Sequence, residues 1–332
     1  MKQLKNLTSS IGPQIVRYVA FKHALGRKAI SIAYVLRGLD RFLTSCDGGD
    51  LSRETFAAWS KSLEHLHAAT RSHWLRVVYH FCLFRRRDDP QCFVPDTTQF
   101  PSPGPRHLPY IFSENEITRL LAAAESMSPH KASPIHREVA RIGIVLLYTT
   151  GLRRGELARL TFGDYDKAER VLFVRRSKFE KSRLVPLSTD AARELDRYLA
   201  ARKQLGAPSD HETVLLVHNH GARFRGYTDV ALGHLLAKVI RRAGIRSPQG
   251  RSPRVHDLRF TFAAHALLRW YRAGIDVQAR LPALATYLGH VSLTSTQYYL
   301  TFLKATAEAA SERFHIHSAA WLFPNGQEGG RS

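Results

Sequence analysis

Six side chains in the second half of the chain are of the types that break a phosphodiester without a metal ion. They are Arg153, Lys178, His256, Arg259, His290 and Tyr299. They stand in four short pieces: Thr150-Gly151-Leu152-Arg153, Lys178, His256-Asp257-Leu258-Arg259, and Leu288-Gly289-His290 with Tyr299 nine residues further on. Arginine forks match the non-bridging oxygens of a phosphate bidentately, and a tyrosine oxygen attacks phosphorus. Singly, each piece has a plainer reading. Arg153 alone is a basic residue in a helix–helix turn. His256 and Arg259, at i and i+3, are a common surface pair. Tyr298 and Tyr299 are of the type that most often packs, and on a helix only one of them faces a given site. The apolar residues after Arg259 (Phe260, Phe262, Ala263, Ala264, Ala266) favour a pair facing a pocket at the head of a buried helix.

The elements that must position these groups are mostly helical. Apolar residues recur at helical spacing through residues 12–88, with Ile15, Tyr18 and Val19 opening one face and Val35, Leu36, Leu39 and Leu43 continuing in the next segment. Ser52 with Thr55 opens a third helix, and Trp74 to Phe84 forms a fourth that ends in Arg85-Arg86-Arg87. Residues 89–110 hold six prolines and no periodicity, which predicts a semi-extended linker between two domains. Ser113 and Glu116 form a capping box for a helix carrying Ile117, Leu120 and Leu121. Val139 to Leu147 predicts a helix stopping near Gly151. Val171–Val174 and Leu184–Leu187 read as strands, with residues 177–183 as a hairpin tip. From Asp190 onward helical patterns dominate, and residues 300–332 read as a helix, Leu300 to Arg313, with a loose tail.

The chain of 332 residues carries 49 Lys and Arg against 28 Asp and Glu, a net charge of +21. That excess favours a polyanion such as nucleic acid. It is spread along the chain, 16 basic against 8 acidic residues in 1–110 and 33 against 20 in 111–332, so both domains are expected to face it. Arg85, Arg86, Arg87, Arg241, Arg242, Arg246, Arg251 and Arg254 are the candidates for holding a duplex backbone. Cys46, Cys82 and Cys92 have no metal-ligand spacing and read as reduced thiols. The N-terminus leads into no long apolar run, and the longest apolar stretch, Ile142 to Tyr148, is far short of the ~20 residues that span a bilayer. A protein with no membrane partner, cytoplasmic and associated with a bacterial nucleoid, is the expectation. His218-Asn219-His220 spells a nuclease name without that class's separated spacing, and His315 and His317 lack a supporting ligand cluster.

The order Arg…Lys…His-x-x-Arg…His…Tyr resembles the tyrosine recombinase (phage integrase) family, and its mobile-element branch in particular. The resemblance runs from about Ile111 to Leu303. Thr150 to Leu157 looks like the family's first arginine box, His256 to Arg259 like its second, and Leu288 to Tyr299 like its third. Three features depart from the pattern. The hairpin lysine lacks flanking glycines, which leaves Lys178 and Lys181 both open as the acid. Phe260 stands where a histidine often follows the second arginine. The 34 positions between His256 and His290 are a longer gap than in many relatives.

The resemblance implies a mainly α architecture with a small antiparallel β-sheet or hairpin in the catalytic domain. Residues 1–88 would be a helical core-binding domain, 89–110 the linker, 111–315 the catalytic domain and 316–332 a tail. It implies a site-specific recombinase, integrase- or transposase-like, that cuts and rejoins double-stranded DNA through a 3′-phosphotyrosyl bond without metal, ATP or cofactor. Tyr299 would attack, Arg153 and Arg259 would meet the transition-state charge, Lys178 would protonate the 5′ oxygen, and His256 and His290 would assist. Glu156 would orient an arginine or histidine. The implied assembly is a homo-tetramer on synapsed sites, with related recombinases or DNA-bending proteins as partners. A catalytically inactive DNA-binding partner and a type IB-like topoisomerase are the alternatives.

Overall fold

The computed structural model describes residues 6–27, 29–46, 49–104, 108–128, 133–175, 182–220 and 223–289. Lys178, Lys181, His290, Tyr299, His315, His317 and the expected helix of residues 300–313 lie outside them. The chain divides into two units, Met1–His107 and Leu108–Ser332.

The first unit is built from α1 (Gly12–Ala24), α2 (Ile30–Ser45), α3 (Arg53–Ser62) and α4 (Ala68–Arg85). Ser52 accepts the Thr55 backbone N–H and the Thr55 hydroxyl answers at the Ser52 N–H, a reciprocal cap that starts α3. The apolar faces read from the sequence meet in one core: Ile15, Tyr18 and Val19 of α1, Val35, Leu36, Leu39 and Leu43 of α2, Trp59 of α3, and Leu75, Val78 and Phe81 of α4. The start of the proline-rich stretch is not a free spacer. Cys92 is buried, and Phe93, Val94 and Phe100 pack against this core around a 3-10 turn at Thr97–Gln99. Proline removes backbone donors but leaves neighbouring side chains free to pack, so a segment without periodicity still adheres to its domain.

The second unit is organised around α6 (His136–Thr150), whose residues Val139, Ala140, Ile142, Gly143, Ile144, Val145, Leu146 and Leu147 are all buried. A helix buried round most of its circumference is a central one. It packs against α5 (Glu114–Glu125), α7 (Arg154–Leu157), α8 (Thr189–Gln204), α9 (Asp229–Arg242) and α10 (Asp257–Arg272). The Ser113–Glu116 capping box starts α5. β1 (Tyr165–Asp166), β2 (Val171–Val174) and β3 (Arg183–Pro186) form an antiparallel sheet in the order β1-β2-β3, with Leu172 opposite Val185 and Val174 opposite Arg183. A second hairpin, β4 (Val217–His220) with β5 (Arg223–Gly226), stands where helical patterns were expected. His218 to His220 is simply its first strand. α11 (Val277–Leu288) follows α10, and the two close on a small separate core of Ala263, Leu267, Leu281, Leu284 and Leu288. The long gap between His256 and His290 is thus filled by a helical pair. Among the described residues no helix is long and apolar enough to cross a membrane.

Gly151 ends α6 in the left-handed conformation, φ 62°. A Cβ there would sit 2.5 Å from Phe262 Cδ1 of α10 and 2.9 Å from Leu288 Cδ2 of α11. Glycine is therefore required twice, by backbone angle and by the approach of two helices. Gly151→Ala is expected to destabilise the unit by about 2–4 kcal/mol, from the left-handed angle plus overpacking. Thermal unfolding checks this, and an unchanged midpoint would refute it.

Candidate active site

Arg153 occupies the extended residue between Gly151 and α7 (φ −72°, ψ 143°). That placement brings Glu156, one turn on, back to its own backbone: the Arg153 N–H donates to Glu156 Oε2 at 2.9 Å. The Arg153 guanidinium donates to Glu156 Oε1 at 2.8 Å through Nη1 and to the Gly289 carbonyl at 2.9 Å through Nη2. Arg259, in the first turn of α10, is 2% exposed. It donates to the Gly151 carbonyl through Nη1 and to the Leu288 carbonyl at 2.6 Å through Nη2. Two arginines more than 100 residues apart in sequence thus meet at the C-terminal end of α11, the residues immediately before His290.

Those carbonyls are available for a structural reason. The last turn of a helix leaves carbonyl oxygens without intrahelical partners and carries partial negative charge. α6 and α11 both stop at left-handed glycines, Gly151 and Gly289 (φ 66°). Their ends therefore lie open to the cationic forks that would otherwise repel one another.

His256 immediately precedes α10 without a side-chain capping bond, and its ring stands edge-on to Phe260, with centroids 5.2 Å apart and planes at 89°. Phe260, in the place of a histidine, serves here as the wall that steadies this ring. Although the ring reaches solvent, its pKa is pushed down to about 4. Desolvation against the protein is the largest cause, followed by the charges of Arg259, Arg153, Arg254 and Arg154. At neutral pH the imidazole is uncharged and able to accept a proton.

Glu156 has a side chain only 1% exposed. Burial would raise its pKa, but Arg183 donates to it through Nη1 at 3.2 Å and Nη2 at 2.8 Å, and Arg183 and Arg153 together hold it at about 2. Arg183 was no candidate in the sequence, yet the site contains it. The signal was there: β3 reads Arg183-Leu184-Val185, and if Val185 faces the core then Arg183 does too, at a position that needs a buried counter-charge.

The basic residues expected on DNA separate into two kinds. Arg86, Arg87, Arg241, Arg246, Arg251 and Arg254 are exposed. Arg85 is not: it is buried and ion-paired with Asp50 at 2.6 Å, so its charge serves the first unit's interior. Arg242 is exposed but ties α9 to the end of α5, donating to Ser126 O at 2.8 Å and Ser126 Oγ at 3.1 Å. Among the described residues no group of His, Cys, Asp and Glu is disposed to hold a metal ion.

Residues 111–305 match the Phage integrase family. The chain is 33% identical over 299 residues to the integrase/recombinase y4rB of Sinorhizobium fredii, covering 88% of this chain and 93% of that one. It is 33% identical over 201 residues to the tyrosine recombinase XerC 2 of Ralstonia nicotianae, covering 59% of this chain and 50% of that one. In fold it is similar to the XerH site-specific recombinase bound to its palindromic difH substrate, with a TM-score of 0.62, 18% identity, and 86% and 79% of the two chains covered.

Two pH effects are expected. Glu156 has a folded-state pKa near 2 against 4.5 when unfolded, so its contribution to stability is complete above pH 4.5 and is lost as the pH falls through about 2. The loss is on the order of 3 kcal/mol. Denaturant unfolding of the wild type and Glu156→Gln across that window should show the difference, and parallel curves would rule it out. For His256, an NMR titration of the DNA-free protein should give a midpoint near pH 4. A midpoint at the ordinary 6.5 would contradict the crowding of charge described here.

Proposed function

This chain belongs to the phage integrase family of tyrosine recombinases, and on that premise we propose that it is a site-specific DNA recombinase working through a 3′-phosphotyrosyl intermediate. The observation that carries the reading is the convergence of Arg153 and Arg259 on the carbonyls of Gly289 and Leu288, the two residues that precede His290 in the sequence. Tyr299 attacks the scissile phosphate in line and leaves a free 5′-hydroxyl. Negative charge then builds on the equatorial oxygens, where two permanently protonated forks stabilise it better than point-charge lysines would. Lys178 gives a proton to the departing 5′ oxygen, with Lys181 as the competing donor. His256, kept neutral, takes part in moving the tyrosine proton, and His290 hydrogen-bonds the phosphate. The bond energy is kept in the phosphotyrosine, so rejoining needs neither ATP nor a divalent ion.

The first unit is assigned the role of a core-binding domain, and the second, from residue 111, that of the catalytic domain. Exposed Arg86, Arg87, Arg241, Arg246, Arg251 and Arg254 contact the duplex backbone. Both units are basic, in keeping with DNA held by each. A homo-tetramer on two synapsed sites is the assembly in which such strand exchange balances.

A nicked suicide substrate tests the reading. The wild type should form a covalent protein–DNA adduct unaffected by a chelator, and Tyr299→Phe should form none. Arg153→Lys and Arg259→Lys should slow adduct formation by roughly 10²–10³, the usual effect of losing a preorganised donor. An adduct from Tyr299→Phe would move the nucleophile elsewhere. No adduct from the wild type on its own site would favour an architectural partner, and relaxation of any supercoiled plasmid would favour a topoisomerase.

A further inference from the structure

Arg183 is a cation at an inward position of a sheet. Leu184 beside it is largely exposed while Val185 is buried, so the alternation of β3 turns Arg183 to the core side, opposite buried Val174. Its side chain is 11% exposed, against 25% for Arg153. Both of its terminal nitrogens donate to Glu156, one to each carboxylate oxygen. Arg153 donates to the same two oxygens, through its backbone N–H and Nη1. The two guanidinium groups also meet at Gly289, where a Cβ would lie 3.3 Å from Arg183 Nη1 and 3.6 Å from Arg153 Nη1.

We propose that Arg183 is a positioning residue: it fixes the plane of the Glu156 carboxylate and thereby aims Arg153, so that β3 must be seated for the first arginine to be ready. The inference rests on the recombinase reading above. Two physical effects support it. The terminal torsion of a glutamate is soft, and with Arg153 alone the carboxylate would turn to follow it rather than hold it. A single carboxylate shared by two arginines also leaves net positive charge, whereas a private Glu156–Arg153 pair would largely cancel the charge that a phosphate needs to meet. Arg183 gives both terminal nitrogens to the one carboxylate that also holds Arg153, so its link to Arg153 runs through Glu156. Its place at the start of β3 links the pairing of β3 with β2 to the orientation of Arg153.

The test uses the full chain, saturating suicide substrate and single-turnover adduct formation. Arg183→Met should slow the step by about 10- to 100-fold while DNA affinity stays within about twofold, the pattern for an outer partner of a working group. Arg183→Lys should recover part of the rate. The double variant with Glu156→Gln should be no slower than the slower single, because both act on one unit. A 5′-bridging phosphorothiolate, whose sulfur leaves without a proton, should not restore Arg183→Met, since the loss is of charge stabilisation and not of the acid. Full restoration by that substrate would overturn the proposal, as would multiplying effects in the double variant or a rate loss explained by weaker binding. If Arg183→Met fails to fold, Arg183→Lys decides: at saturating substrate it should form the adduct more slowly than the wild type on both the ordinary and the phosphorothiolate substrate, and a wild-type rate on either would overturn the proposal. A normal wild type with an unimpaired Arg183→Met overturns this inference alone. A wild type that forms no adduct overturns the recombinase reading and this inference with it.

Discussion

A single buried carboxylate sets the terms for the rest of the second unit. Glu156 is shielded from water and lies between two arginines, one from its own turn and one from the sheet. An ion in such a place is tolerated only when its hydrogen bonds are complete, and removing one partner strands the charge. Meeting that demand dictates local structure on each side. α7 must begin just after Arg153, because that register returns the Glu156 side chain to the Arg153 N–H. β3 must present Arg183 inward, which fixes its pairing with β2. Gly151 must bring α6 to an end just before, so that the chain can turn into α7 at all.

The electrostatics around this carboxylate are layered. Arg153 and Arg183 are balanced in part by Glu156, and Arg259 is held by the carbonyl ends of two helices. Dipolar anchors hold a cation in place without neutralising it. The surplus charge is felt by His256, which it helps to discharge. Fixed positive charge and a neutral imidazole therefore coexist a few residues apart, the division of labour that phosphate chemistry asks of arginine and histidine.

What the sequence disclosed follows from how local each signal is. The arginine boxes, the caps at Ser52 and Ser113, the stop at Gly151 and the β2–β3 hairpin were legible because each is written within a few residues. The second hairpin was not: Val217–His220 and Arg223–Gly226 carry mostly polar side chains and are held by their backbone ladder, which leaves no apolar period to read. Arg85 belongs to a run of three arginines that reads as surface, and only Asp50, 35 residues earlier, turns it inward. Cys92 to Phe100 looked like a spacer because prolines hide packing that side chains achieve without regular structure. Arg183 sits in a strand too short for its inward face to stand out, and only the burial of Val185 shows which way it turns.

The bond from Arg259 to the Leu288 carbonyl has a consequence for how the chain can vary. It ties residue 259 to residue 288 and makes everything between them, most of α10 and all of α11, an excursion whose two ends are fastened together. Lengthening a fastened excursion costs little, because loop-closure entropy grows only with the logarithm of its length. The helical pair, with its own small core, is thus a segment whose length can change at little cost while the two anchored ends keep their spacing.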